Sequence, residues 1–128
     1  MPLTDPIGDF ITRMRNAQHG RKPECRAQWS RIKQSICELL KSRGYLESVS
    51  TEGEGVEKEI VVTFKADRPA LILKRISTPG SRRYVGAGEI RGLLHGSSMA
   101  IISTSSGLLT DKEARSKNVG GELLCTIS

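Results

Sequence analysis

The chain has 128 residues and a mass of 14.0 kDa, room for one ordinary domain or two small units. Lysine and arginine number 20 against 14 acids, giving a net charge of +6 and a pI near 9.6, a surplus that favours a polyanionic partner such as nucleic acid. At 37% apolar and 27% charged residues wholesale disorder is excluded, and the apolar runs 70–73 and 99–102 fall far short of the roughly 20 residues of a membrane span.

The opening Met1-Pro2-Leu3-Thr4-Asp5 carries no apolar stretch behind a basic one, so no secretory signal is expected. Asp5 is placed to cap a helix whose first residue is Pro6, a position that tolerates the missing N–H. Ile7, Phe10, Ile11 and Met14 then form one apolar stripe, and Gly20 is the expected stop. Residues 21–29 have room for one short strand. Ser30 caps a second helix on which Ile32, Ile36, Leu39 and Leu40 repeat, and Gly44 ends it.

Beyond Gly44 the period becomes alternating. Residues 45–50 read as a strand, 51–55 as a turn and 58–65 as the hairpin mate, with Ile60, Val62 and Phe64 on one face. The break at 66–69 divides the chain into an amino-terminal α/β part, 1–66, and a β-rich part, 67–128. In the second part, residues 70–76 read as a strand and Pro79-Gly80 as a type II turn. A short strand follows over 82–85, then a single short helix over 88–94 and an apolar strand over 99–102. Thr110-Asp111-Lys112-Glu113 spells a capping box. Gly120-Gly121 ends that helix, and 122–127 closes the chain as a strand with Leu123, Cys125 and Ile127 on one face. The fold class is α+β, in two small lobes.

Charge is concentrated early: residues 13–43 hold nine basic side chains against Glu24 and Glu38. Helix faces are commonly basic, but a field so placed would also raise the rate and salt sensitivity of phosphate binding. Phe10, Trp29, Tyr45, Phe64 and Tyr84 are too few, and two of them too buried on this reading, to build a stacking platform for single strands. A folded, helical RNA surface read by shape and 2′-hydroxyls fits better.

Ser103-Thr104-Ser105-Ser106-Gly107 sets four hydroxyls between an apolar strand and a capped helix. Serine-rich loops are often only loops. Held firmly, however, such hydroxyls both donate and accept, which suits the minor groove of A-form RNA, and the dipole of the helix beginning near Thr110 is expected close by. Catalysis is poorly supported. A nucleophile elbow needs glycine where Ser103 stands, and the glycine pattern at Gly86-Ala87-Gly88 fails at Arg91. Cys25, Cys37 and Cys125 are odd in number with no C-x-x-C, and His19 and His95 have no ligand-spaced neighbours. No disulfide framework, metal, cofactor or small-molecule substrate is expected.

The run 102–115, ISTSSGLLTDKEAR, with Val119-Gly120-Gly121-Glu122, closely resembles the signature of the small-subunit ribosomal protein eight family. So do the opening Thr4-Asp5-Pro6-Ile7-Gly8-Asp9 and its continuation Thr12-Arg13-Met14-Arg15-Asn16-Ala17, then Gly44-Tyr45-Leu46 and Leu73-Lys74-Arg75-Ile76-Ser77 with Pro79-Gly80. The resemblance implies two small α+β lobes without enzymatic activity. It implies binding to the central domain of small-subunit ribosomal RNA as an early assembly protein, among neighbouring ribosomal proteins in the cytoplasm, and a monomer when free. By position, Ser103, Thr104 and Ser105, with Ser106 and Gly107 in the same loop, would contact the RNA. Glu122 would brace that loop, and Tyr84 with the Pro79-Gly80 turn would lie nearby. Arg13, Arg15 and Asn16 would meet RNA backbone. Ser106 departs from the family's frequent Lys or Gln, and 25–29 departs from its usual apolar-Pro-x-Ser lead into the second helix. The alternative without the resemblance is a general basic nucleic-acid-binding module outside the ribosome.

Overall fold

The computed structural model describes residues 5–67, 69–92 and 98–128, with the backbone alone for Arg91 and Gly92. Thr4, Arg68, His95 and the end of the helix expected over 88–94 lie outside them. The fold is α+β, in two compact units: residues 9–71, and residues 72–128 together with residues 5–8.

Helix α1 (Pro6–His19), whose residues from Asp9 onward belong to the first unit, buries Phe10, Ile11, Met14 and Ala17 there, as its apolar stripe requires. Strand β1 (Glu24–Gln28) turns Cys25 and Ala27 inward and alternate residues outward. Helix α2 (Arg31–Ser42) is capped by Ser30, whose Oγ accepts from Lys33 N–H at 3.3 Å. Its buried stripe is centred on Ile36, Cys37 and Leu40, whereas Ile32 and Leu39 are only half-buried. It packs on β2 (Leu46–Glu52) and β3 (Glu59–Phe64). The antiparallel sheet has the order β1-β3-β2, with Cys25 and Val49 both opposite Val62. The hairpin between β2 and β3 turns through Gly53 at φ +82° and a short 3-10 turn, Gly55–Glu57.

Among the described residues the three α-helices stop by the same device, one left-handed residue followed by a 6→1 backbone bond. After α2 that residue is Gly44, φ +81°, and Tyr45 N–H reaches Leu40 O at 2.9 Å. After α1 it is Arg21, φ 56°, not Gly20, and Lys22 N–H reaches Ala17 O at 2.9 Å. After α3 (Asp111–Ser116) it is Asn118, φ 56°.

The second unit is built on β8 (Gly121–Ile127). Its sheet runs β4-β8-β6-β7, comprising β4 (Leu73–Arg75), β6 (Met99–Thr104) and β7 (Gly107–Thr110), with β5 (Tyr84–Val85) also paired to β8. Ile90, Ala100, Ile102, Leu109, Ala114 and Leu123 form a core cluster. Each large aliphatic member buried there contributes about 1.5–3 kcal/mol. The expected capping box is present: Thr110 Oγ1 accepts from Glu113 N–H, and Glu113 Oε1 from Thr110 N–H.

Several expectations are corrected. Residues 107–110 are a strand, so the expected loop is a hairpin turn. The strands expected over 70–76 and 82–85 shorten to β4 and β5, and the short helix is a 3-10 turn over Ala87–Gly92. Gly80 is not among the glycines at positive φ, so the turn is not type II. Proline's φ suits a type I turn equally, and Thr78 and Ser81 exchange backbone hydrogen bonds at 3.0 and 3.1 Å. Finally, Leu123 does not share a face with Cys125 and Ile127. Ile101 opposes Cys125 while Ile102 opposes Leu123, leaving Leu124 as an extra residue in β8. The bulge is held by its carbonyl, which accepts from Ile76 N–H at 3.0 Å and from Arg75 Nη1 at 2.6 Å.

Cys25, Cys37 and Cys125 are free and buried, and burial pushes each thiol above its ordinary range. Among the described residues no group of His, Cys, Asp and Glu could hold a metal. No helix there is long and apolar enough to cross a membrane.

Candidate nucleic-acid interface

The hydroxyl run divides between a strand and a turn. Ser103 and Thr104 end β6, opposite Leu108 and Gly107, and Ser105-Ser106 alone make the turn. Gly107 at φ +99° absorbs the twist that neither serine takes up. Thr104 staples this turn. Its Oγ1 accepts from Ser106 N–H at 3.0 Å and donates to Gly107 O at 2.9 Å. Ser105 and Ser106 are exposed, and among the described residues neither hydroxyl, nor that of half-buried Ser103, makes a side-chain hydrogen bond. The turn therefore presents hydroxyls from a fixed frame, and Thr104 supplies the frame.

Tyr84, Glu122, Ser103 and Leu108 form one row across the sheet, because Glu122 pairs with Tyr84 on one side and Ser103 on the other. Side chains of directly opposed residues lie on the same face. Tyr84 is 70% exposed there. Two glycines let the strands close up. A Cβ on Gly121 would stand 2.9 Å from the carbonyl carbon of Ser103, and one on Gly120 would stand 2.9 Å from Gly86 Cα.

The Glu122 carboxylate turns to the segment that carries the Pro79-Gly80 turn, not to the hydroxyls. Ser77 Oγ, fully buried, donates to Glu122 Oε2 and accepts from Arg83 N–H at 3.1 Å. Arg82 Nη1 donates to the same Glu122 oxygen at 3.0 Å. The Ser77 hydrogen bond is the main cause that holds the Glu122 carboxyl below its ordinary range; burial opposes it and Arg82 assists. Sequence reasoning gave neither Ser77 nor Arg82 a part in the site. Asp5 caps α1 and is clamped by Arg75, whose Nε and Nη2 lie 3.2 Å from its carboxylate. Burial raises the Asp5 pKa, but the Arg75 hydrogen bond, the Gly8 N–H and nearby positive charges outweigh it and the net shift is downward. A Cβ on Gly8 would lie 2.9 Å from Asp5 Cγ, so the glycine leaves room for the clamped carboxylate.

The expected helix dipole is not at the turn. Thr110 opposes Ile101 at the far end of β7, about 10 Å along the strand from Gly107. The first turn of α3 is already matched by its own Asp111 and Glu113.

In the other unit, exposed Arg13 and Asn16 share a groove of about 260 Å³ with Lys22, Glu24, Cys25 and Arg26. Arg15 is half-buried and is not among the groove residues. Arg26 is neutralised by Glu24 at 3.2 Å and Glu52 at 2.6 Å, so among the described residues Arg13 and Lys22 carry the groove's uncompensated charge.

Such an arrangement, exposed hydroxyls on a stapled hairpin in one unit and a cationic groove in the other, is that of a small structural protein with binding surfaces. The chain belongs to the ribosomal protein S8 family, a family of small-subunit ribosomal components and not of enzymes: the model described as "Ribosomal protein S8" matches residues 5–128. It is 44% identical to the "Small ribosomal subunit protein uS8" of Anaeromyxobacter dehalogenans (strain 2CP-C) over 131 aligned residues, covering 99% of each chain. It is 44% identical to that of Lactobacillus delbrueckii subsp. bulgaricus, again over 99% of each. The Leuconostoc mesenteroides protein of the same name is 45% identical, with the same coverage.

Proposed function

We propose that the protein binds directly to the central domain of small-subunit ribosomal RNA and helps that domain assemble, in the ribosome of the cytoplasm, beside neighbouring ribosomal proteins and as a monomer when free. The observation that carries this reading is the stapled hydroxyl turn. Ser105 and Ser106 are exposed donors and acceptors in fixed positions, with Ser103, Tyr84 and Glu122 in one row beside them. Hydroxyls so placed match the 2′-hydroxyls and base edges of a wide RNA minor groove. Arg13, with Asn16 and Arg15 on the same helix, supplies sequence-independent attraction to phosphate.

The test is equilibrium binding to a central-domain RNA fragment, with an unrelated RNA duplex as competitor. Ser105→Ala is expected to weaken specific binding by about 1–3 kcal/mol, with duplex binding unchanged. Equal affinity of the unaltered protein for fragment and duplex would instead indicate a general basic module and overturn the proposal.

A further inference from the structure

The sheet of the first unit has a surface that the RNA reading does not use. Residues 46–60 hold Glu47, Glu52, Glu54, Glu57 and Glu59 against Lys58 alone, in a chain whose net charge is +6. Lys58 is itself engaged, its Nζ 4.1 Å from the centroid of the Trp29 ring.

The register of the sheet shows where these acids point. Cys25, Ala27, Ile60 and Val62 are buried in the unit, so the alternate residues of β1 and β3 face outward. Glu52, Glu59 and Gln28 stand in one row across that outward face, and Ser50, Val61 and Arg26 in the next. Glu52 and Glu59 are directly opposed, and like charges so placed destabilise a sheet. Arg26 is shared among three carboxylates, at 2.6 Å from Glu52, 3.2 Å from Glu24 and 4.0 Å from Glu59. Among the described residues, the acids around it therefore outnumber the charge it can match. At the hairpin tip Val56 is 88% exposed, within the turn Gly55–Glu57, where no residue is buried. A single exposed aliphatic is ordinary, but this one stands between Glu54 and Glu57 beside a charge arrangement that costs stability.

Phosphate is repelled by such a face, so RNA does not fit it. A metal ion does not fit either, since among the described residues no group of His, Cys, Asp and Glu could hold one. A cationic chain that also carries an apolar side chain satisfies both the carboxylates and the valine. We infer that the outward face of this sheet, with Val56 at its tip, docks a lysine- and arginine-rich segment of a neighbouring protein. The cations of that segment lie among Glu52, Glu54, Glu57 and Glu59 and relieve the opposed pair, while its apolar side chain packs on Val56. The inference rests on the proposed place beside neighbouring proteins, to which it gives a surface and a partner chemistry, and not on the hydroxyl turn.

The experiment is photochemical cross-linking in purified small ribosomal subunits that contain this protein with a benzophenone side chain in place of Val56. Exposed Ser50, in the middle of the face, takes the same probe in a second variant, in case the bulky group is not accommodated at the tip. A cross-link to a protein is expected, mapped by mass spectrometry to a segment in which lysine and arginine exceed the acids. Glu54→Lys together with Glu57→Lys should lower its yield about threefold by placing like charges against the partner. A cross-link to RNA, to a second copy of this chain or to a segment without cationic excess would overturn the inference. So would no cross-link from either position, or an undiminished yield in the double variant. Preference for the central-domain RNA fragment is measured apart on the free protein. A protein cross-link without that preference sinks only the RNA reading, and the preference without a protein cross-link sinks only this inference.

Discussion

Glu122 accepts from a buried serine hydroxyl and from Arg82 while its backbone pairs with Tyr84 on one side and Ser103 on the other. Its carboxyl is held below the ordinary 4.5, and that of Asp5 below 3.8. Because both folded-state values are depressed, their contribution to stability is complete above those ordinary values. It is lost as pH falls through the lower folded ones. The urea midpoint should therefore hold steady down to about pH 5 and decline below the ordinary carboxylate values. Glu122→Gln keeps an acceptor for Ser77 and Arg82 but no longer titrates, so its acid decline should be shallower. An unchanged decline would place the sensitivity elsewhere. Arg21 offers a different test at the same scale. A non-glycine residue in the left-handed region costs about 1–2 kcal/mol, partly offset by glycine's greater freedom when unfolded. Arg21→Gly should raise unfolding stability by about 0.5–1 kcal/mol in a urea titration; a loss would mean the arginine side chain stabilises the end of α1.

Among the elements, the β6–β7 hairpin depends on the start of β8. A Cβ at Gly121 would collide with the Ser103 carbonyl, so Gly121→Ala should destabilise the protein by about 1–3 kcal/mol through enforced strand displacement and weaken RNA binding in parallel. Loss of stability with full RNA binding would separate the hairpin from the interface. Much of this architecture is written locally. The Thr110–Glu113 box, the Ser30 cap and the apolar stripe of α1 are short-range signals, and each element forms where its signal lies. Strand β7 was not legible because Gly-Leu-Leu-Thr is too short to show alternation. The β8 bulge was hidden for a related reason: Leu123, Leu124 and Cys125 are all apolar and fit either phase, so donors from Arg75 and Ile76, far off in sequence, decide which one is used. Of the candidate site, the hydroxyl run stood out as a cluster of like residues. Ser77 and Arg82 did not, because only their tertiary pairing with Glu122 distinguishes them from ordinary polar residues.

Across the whole molecule, the two units carry the same net charge, +3 each, but the densest run of basic side chains and the hydroxyl turn fall in different units. Residues 13–43 carry nine basic side chains against two acids, whereas the hydroxyl turn presents neutral groups. Attraction and selectivity should separate accordingly. Arg13→Ala combined with Arg15→Ala should flatten the dependence of log K on log salt by about one to two units, while Ser105→Ala leaves that slope unchanged. Identical slopes for the two variants would sink this division. The Thr104 staple gives the arrangement its character. A turn whose shape is already settled during folding has no disorder left to surrender when a partner arrives. It also cannot bend to suit a misplaced one, so on the proposed reading rigidity itself would be the means of telling one RNA surface from another.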